Sequence, residues 1–269
     1  MAAWPTGEVT FLAYSPQGAS ANISAGSLSD ANRNRGEMSS LTYSVPEATS
    51  AQEDLLVAVA KKSFTPGAGT VTLNFKHALS RLQFKAQYVD GSSNTIDVTG
   101  IALFNLKKSG TLDLRTADAV ANIAWTGQTD NVDSLSLVGA GFDAPVPKGG
   151  GHVPVLTGGD AVMVMPQTTA LGSSKYGATT DRNGDTNAAI ASGAFYVLVT
   201  WTVGTGQTRH SLCAVPDPSN LSKGVEFKPG RQYTFTFTLD GNDNLTLGGG
   251  VGVENMNDED GGTVMPPPI

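Results

Sequence analysis

A single cysteine, Cys213, is the first scarcity in this 269-residue sequence. One thiol excludes an intramolecular disulfide and a thiolate zinc site. Cys213 sits in Ser211-Leu212-Cys213-Ala214-Val215, where apolar and polar residues alternate, and it reads as a small core residue rather than a nucleophile. Charge is also scarce: Asp, Glu, Lys and Arg make up 15% of the chain, well below the usual quarter. Basic residues are the rarer sign, 17 against 24 acidic, for a net charge of -7. A nucleic-acid partner needs Lys and Arg to neutralise its phosphates, so that class is excluded. The acidity reads as a solubility feature. No run of 18 or more apolar residues occurs, so no segment has the form of a membrane-spanning helix. Met1-Ala2-Ala3-Trp4-Pro5 has neither the basic nor the apolar region of a signal peptide; the expectation is a trimmed chain.

What the sequence does hold is turn formers between short apolar runs. Glycine stands at 32 and proline at 14, a mixture poor for helices and rich in turns. Strands are expected at 8–14, 41–45, 54–60, 71–75, 82–89, 95–106, 111–114, 135–138 and 161–165, with a short helix as the alternative at 54–60. Residues 19–40 lack any period and read as a loop. Gly100, inside the 95–106 run, suggests a bulge. Residues 195–203 and 208–215 read as a hairpin around Gly204-Thr205-Gly206. In Gln232-Tyr233-Thr234-Phe235-Thr236-Phe237-Thr238-Leu239 aromatics face one side and threonines the other, the cleanest strand signal in the chain. About ten short strands without an amphipathic helix indicate an all-β protein, a β-sandwich or a pair of them.

Catalytic signatures are missing: there is no HExxH, GxSxG, P-loop or strand-GxGxxG-helix pattern, and no enzyme activity or cofactor is expected. His77, His152 and His210 lie in unrelated contexts. His77 reads as a packed structural residue, and Gly149-Gly150-Gly151-His152 as a loop. For a metal, the candidate ligands are Asp181, Asn183 and Asp185, oxygen donors at alternate positions as Ca²⁺ prefers. Gly184 stands at the fourth position of that loop rather than the sixth, and Ser192 at the twelfth instead of a bidentate Glu, so a polar surface loop is the simpler reading. Of the tryptophans Trp4, Trp125 and Trp201, the last two are explained by packing rather than by a carbohydrate platform.

Several segments taken together resemble the fimbrillin-like (Mfa-like) family of Bacteroidales pilus subunits. They are Trp4-Pro5 with Val9-Thr10-Phe11-Leu12-Ala13-Tyr14-Ser15-Pro16, and Leu41-Thr42-Tyr43-Ser44-Val45-Pro46 with Gln52-Glu53-Asp54-Leu55-Leu56-Val57-Ala58. Phe75-Lys76-His77-Ala78-Leu79-Ser80-Arg81-Leu82-Gln83-Phe84 is the most recognisable motif. Met163-Val164-Met165-Pro166-Gln167 and Pro229-Gly230-Arg231-Gln232-Tyr233 follow in the same order.

The resemblance implies two transthyretin-like β-sandwich domains, 1–70 and 71–269, the N-terminal one incomplete because the family's usual preceding region is not in this chain. It implies a structural or adhesive subunit of a cell-surface fimbrium at the outer membrane, held there by a lipid anchor that this chain does not contain. Its partners would be other pilus subunits, joined by β-strand exchange. The donor strand would carry Leu245, Leu247, Val251 and Val253. The alternative is a surface module that binds host glycan or host protein and does not polymerise. The family's tryptophan near the C-terminal strand is replaced here by Val253-Glu254-Asn255-Met256. The glycine-, acid- and proline-rich stretch 251–269 makes a poor donor in its last part, which leaves stalk, tip and accessory positions open.

Overall fold

Alternation of aromatics with threonines through Arg231–Leu239 produces the expected strand: Tyr233, Phe235, Phe237 and Leu239 are buried, and the residues between them are half-exposed. The same period governs Ser80–Tyr88, whose every second residue is buried. These two strands, some 150 residues apart in sequence, lie side by side and parallel, from Gln232 opposite Arg81 to Leu239 opposite Tyr88. They form the centre of one sheet in a computed structural model that describes residues 7–16, 23–24, 40–46, 48–63, 70–89, 96–130, 135–136, 144–146, 149, 151–155, 162–172, 175–179, 193–204, 208–217, 219–239, 245–247 and 252–256. Its outer positions are shared by short strands: Val153–Pro154 and Val162–Val164 beside Ser80–Tyr88, Leu245–Leu247 and Gly252–Asn255 beside Arg231–Leu239.

A second sheet is built on Ile96–Phe104, Tyr196–Val203 and Thr208–Ala214, all antiparallel. The expected hairpin is present, pairing Tyr196 with Ala214 through Thr202 with Thr208. The expected bulge is present as well: Gly100 faces Thr200 but Val98 faces Trp201, so Thr99 is the extra residue. The two sheets close on one core that includes Phe84, Phe195, Val197, Trp201, Phe227, Phe235 and Phe237. Phe235 stacks on Phe84 with centroids 5.5 Å apart, and Phe195 meets Phe227 edge-on at 5.3 Å. Burial on this scale is the dominant stabilising term in such a fold.

A smaller core lies between two further sheets. One contains Glu8–Ser15, Leu56–Ser63 and Lys76–His77; the other contains Ile23–Ser24, Ser40–Ser44, Lys107–Asp113 and Trp125–Asp130. Leu41, Tyr43, Val57, Leu79, Leu112 and Met165 are among its buried residues. It therefore draws side chains from chain segments far apart, including 107–125 and 163–165. Of the stretch 54–60, residues 56–60 fall in the strand Leu56–Ser63, and the protein is all-β: among the described residues the helical segments are three single 3-10 turns.

Two sequence expectations need correction. Residues 71–75 alternate in exposure but join no strand ladder, because alternation fixes only which face a residue shows and a strand also needs a neighbour to bond. Within the stretch read as a loop, Ile23–Ser24 pairs with Tyr43 and Thr42. Trp4 lies outside the described residues.

Candidate assembly edges

The segments that carried the resemblance are scattered in sequence and meet in space. His77 Nδ1 is bonded to Asp54 Oδ2, while the Ala78 amide donates to the Leu55 carbonyl at 2.8 Å. Gly230 N–H donates to the Leu79 carbonyl at 2.9 Å and Ser80 Oγ–H to the Lys228 carbonyl at 2.8 Å. Met163 N–H donates to Gln52 Oε1 at 2.8 Å, and Trp125 Nε1–H to the Ala78 carbonyl at 2.9 Å. Gln167 accepts from the Lys107 amide at 2.8 Å and donates to the Met165 carbonyl at 2.9 Å. The bonds of Leu79 with Gly230, Gln52 with Met163 and Lys107 with Gln167 tie the smaller core to segments of the larger one, and those of Asp54, Ala78 and Trp125 hold the smaller core itself. Satisfied side chain-to-backbone bonds of this kind hold one chain crossing in one geometry. Gly230, at φ 64°, makes the turn into Arg231–Leu239, a conformation that favours glycine.

The Asp54–His77 pair was not legible in sequence, because the partners stand 23 residues apart. His77 is nearly buried, and Asp54 Oδ1 has no hydrogen-bond partner among the described residues. Next to it, Tyr43 donates to the Glu53 carbonyl at 3.2 Å. Burial first, then the Glu53 and Asp54 charges, push the Tyr43 hydroxyl up to about 12. We expect Asp54→Ala to destabilise the protein by about 1–3 kcal/mol, since it strips a buried donor of its charged acceptor. Urea denaturation of the variant beside wild type checks this; equal midpoints would show that the pair contributes nothing.

The other sequence candidates separate. His210 Nδ1 shares a hydrogen bond with Thr200 Oγ1 at 3.0 Å, and His152 lies in an exposed loop, so the three histidines belong to three different settings. Cys213 is buried, and burial pushes its thiol up to about 12. A thiolate is then scarce at neutral pH, which removes the residue as a nucleophile. Trp201 is fully buried in the larger core and Trp125 packs against the smaller one. Asp181, Asn183 and Asp185 lie outside the described residues. Among the described residues no group of three or more His, Cys, Asp or Glu could hold a metal ion.

Two strand edges remain as candidate sites. On the first, Leu245–Leu247 and Gly252–Asn255 line Arg231–Leu239: Leu245 opposes Leu239, Leu247 opposes Phe237, and Val253 opposes Tyr233. Val251 is outside the described residues. All four residues of Gly252–Asn255 are exposed, Val253 at 43%. This strand is held by its ladder and by the next residue, Met256, which is buried and donates its amide to the Gly230 carbonyl at 2.9 Å. A ladder without buried side chains opens at low free energy.

The second edge belongs to Leu56–Ser63. Glu8–Ser15 pairs along one whole side of it, but Lys76–His77 reaches only Leu56 and Val57 on the other. Among the described residues, no strand pairs with 58–63 on that side. Leu12, Tyr14 and Val59 are only partly buried where this sheet packs on the smaller core. An open ladder beside half-covered apolar side chains is a template for an incoming strand.

The fimbrillin-like family model matches residues 2–255. The chain belongs to the fimbrillin-like family. Its fold is shared with solved structures of low identity. A fimbrial protein from Bacteroides vulgatus superposes with a TM-score of 0.55 at 14% identity, covering 81% of this chain and 68% of its own. A candidate cell adhesion protein from Bacteroides ovatus gives 0.51 at 19% identity, over 96% and 71%. One from Parabacteroides distasonis gives 0.50 at 10%, over 94% and 84%. The curated proteins contain no match to this sequence. In this fimbrillin-like chain the motif residues meet through hydrogen bonds that hold its strands together.

Proposed function

We propose that this fimbrillin-like protein is a structural or adhesive subunit of a cell-surface pilus, joined to other subunits by β-strand exchange. The observation that carries this reading is the pair of complementary edges: the exposed strand Gly252–Asn255 and the stretch 58–63, which on one side has no strand partner among the described residues, beside a half-covered core. In exchange, the strands Leu245–Leu247 and Gly252–Asn255 of one subunit leave their own sheet, with Leu245, Leu247, Val251 and Val253 as the proposed donor positions. They then complete the sheet containing Leu56–Ser63 in the next subunit. Backbone hydrogen bonds are conserved in the trade, and the gain comes from apolar side chains that the acceptor's groove covers. The two cores correspond in this proposal to two transthyretin-like domains, with the division near residue 70 marking a passage of the chain between them. The site of action in this proposal is the outer-membrane surface, reached through a lipid anchor.

Family membership, the absence of catalytic signatures, and fold similarity to a fimbrial protein and to candidate cell adhesion proteins all support this reading. Electron microscopy and size analysis of the protein, before and after limited trypsin treatment, test it. Filaments or ladders of oligomers after cleavage are the expected outcome. A stable monomer in both samples would overturn strand exchange and leave the non-polymerising module for host glycan or protein.

A further inference from the structure

Residues 70–77 return beside the strand Leu56–Ser63 and are fastened to it at both ends. At one end Leu56 pairs with His77 and Val57 with Lys76. At the other, Lys62 Nζ donates to the Thr70 carbonyl. The stretches between these anchors, 57–62 and 70–76, differ in length by a single residue. At about 3.3 Å per residue that leaves little slack, so the returning segment runs extended along the strand. Its exposure agrees: Thr70, Thr72 and Asn74 are exposed, while Val71, Leu73 and Phe75 are half-buried. Yet residues 71–75 join no ladder, and among the described residues no strand pairs with 58–63 on that side.

An unpaired edge invites stray strands, and a covering loop or lysines on the edge strand are common protections. Lys61 and Lys62 stand on this edge. The near end of the segment is firmly held, by its two ladder pairs, by the Asp54–His77 bond and by the Ala78 amide on the Leu55 carbonyl at 2.8 Å. Among the described residues the far end is bonded through Lys62 alone. A strand arriving at 58–63 would gain ladder hydrogen bonds and break none made by 71–75. The opposing cost is re-exposure of the half-covered Val71, Leu73 and Phe75. We propose that residues 70–75 are a displaceable cover on the 58–63 edge, which lifts from its Lys62 end about the fixed anchor at 76–78 and so makes the edge available to a strand. The cover itself needs nothing from the pilus assignment; that the admitted strand belongs to another subunit rests on the strand-exchange reading above.

Continuing the register of the two ladder pairs sets Ala60 opposite Leu73, and the Ala60→Cys/Leu73→Cys variant tests that placement. Facing Cα atoms in a ladder stand about 4.5–5.5 Å apart, within reach of a disulfide, so mild oxidation of the monomer is expected to join the pair. The native Cys213 is buried and does not compete. Failure of the bond to form in folded protein would overturn the cover. Chymotrypsin cleavage after Phe75, followed by mass spectrometry, then reads lifting. It is expected to be about tenfold faster in the reduced than in the oxidised variant, because proteolysis follows the open population. Lys62→Ala reads the same motion without new cysteines, and should be cut about tenfold faster than wild type, the order of effect of one charge-assisted hydrogen bond. Rates equal between reduced and oxidised protein, and between Lys62→Ala and wild type, would overturn the proposal. A fluorescent peptide with the sequence of residues 245–255 is the probe for pairing. It should bind the reduced variant and not the oxidised one; equal binding to both would overturn the cover. Binding to neither, with the disulfide formed and the cleavage rates as expected, supports the cover and removes strand exchange through this edge, so the two failures are seen separately.

Discussion

Phe235→Ala is expected to destabilise the protein by about 3–5 kcal/mol, the range for removing a buried aromatic ring. The ring is fully buried at the centre of the larger core. It stacks on Phe84 at 5.5 Å and lies 5.9 Å from Phe195, which leads into the strand Tyr196–Val203 of the facing sheet. One substitution therefore removes both a stacking partner within a sheet and a contact between sheets. Domains hold a net stability of roughly 5–15 kcal/mol, so the loss is a large share of the whole. For a chain of this size it corresponds to a fall in Tm of very roughly 6–20 °C. Phe235→Leu keeps most of the volume and should cost less than half as much. Guanidinium denaturation followed by tryptophan emission is a suitable readout, since Trp201 is buried in the same core. A loss below about 1 kcal/mol for the alanine variant would contradict the placement of that ring.

Phe235 was legible as a core residue because the period of two in 231–239 left little choice of face. The hairpin between Tyr196–Val203 and Thr208–Ala214 was legible for a related reason: its strands are adjacent in sequence and separated by glycines. Gly100 marked its bulge because a residue without a side chain in a strand interior usually has a geometric cause. Other features depended on long-range partners and left no local trace. Nothing in Ser80–Tyr88 says that its neighbour is 150 residues away and parallel. Residues 71–75 carry the alternation of a strand yet join no ladder, whereas the two-residue Ile23–Ser24 does. The Lys107–Asp113 and Trp125–Asp130 strands pair with Ser40–Ser44 and its neighbour, taking Leu112 into the smaller core. Their own residues predict a strand without predicting a destination.

The junction shows the same limit on reading sites. Asp54, His77, Gln167 and Gly230 were recognisable through the family pattern, but their roles were not. Only the assembled chain places an Asp54 carboxylate on His77 and a Gly230 amide on the Leu79 carbonyl. The donor positions at 245–253 came from what the family resemblance implies. That all four residues of Gly252–Asn255 are exposed was not readable, since exposure is set by what the opposing sheet fails to cover.

Gly224→Ala carries the other large expected effect, and its cause is backbone rather than ring packing. A Cβ at Gly224 would stand 2.2 Å from the Thr169 carbonyl oxygen, 2.4 Å from that of Ala170 and 2.5 Å from the Ala170 carbonyl carbon. No rotamer relieves a clash with main chain, so one strand must move. The segment facing Gly224 is pinned: Thr169 N–H donates to the Val225 carbonyl at 3.0 Å, and Thr169 Oγ1 does so at 3.1 Å. Val225 and Phe227, immediately after the glycine, are buried in the larger core. Moving either side therefore strains both a buried hydrogen bond and core packing, at a cost of about 3 kcal/mol or more, the upper end for small-to-large changes. Gly151→Ala is the control, because that position is exposed and a Cβ there meets nothing within 4 Å. It should be neutral or stabilise by up to about 1 kcal/mol, through a less flexible unfolded chain. Melting temperatures of the two variants, measured beside wild type, decide the matter. Equal shifts would mean that the approach of Gly224 to the 169–170 backbone is not as close as described, whereas a large fall confined to Gly224→Ala would assign the cost to that crossing.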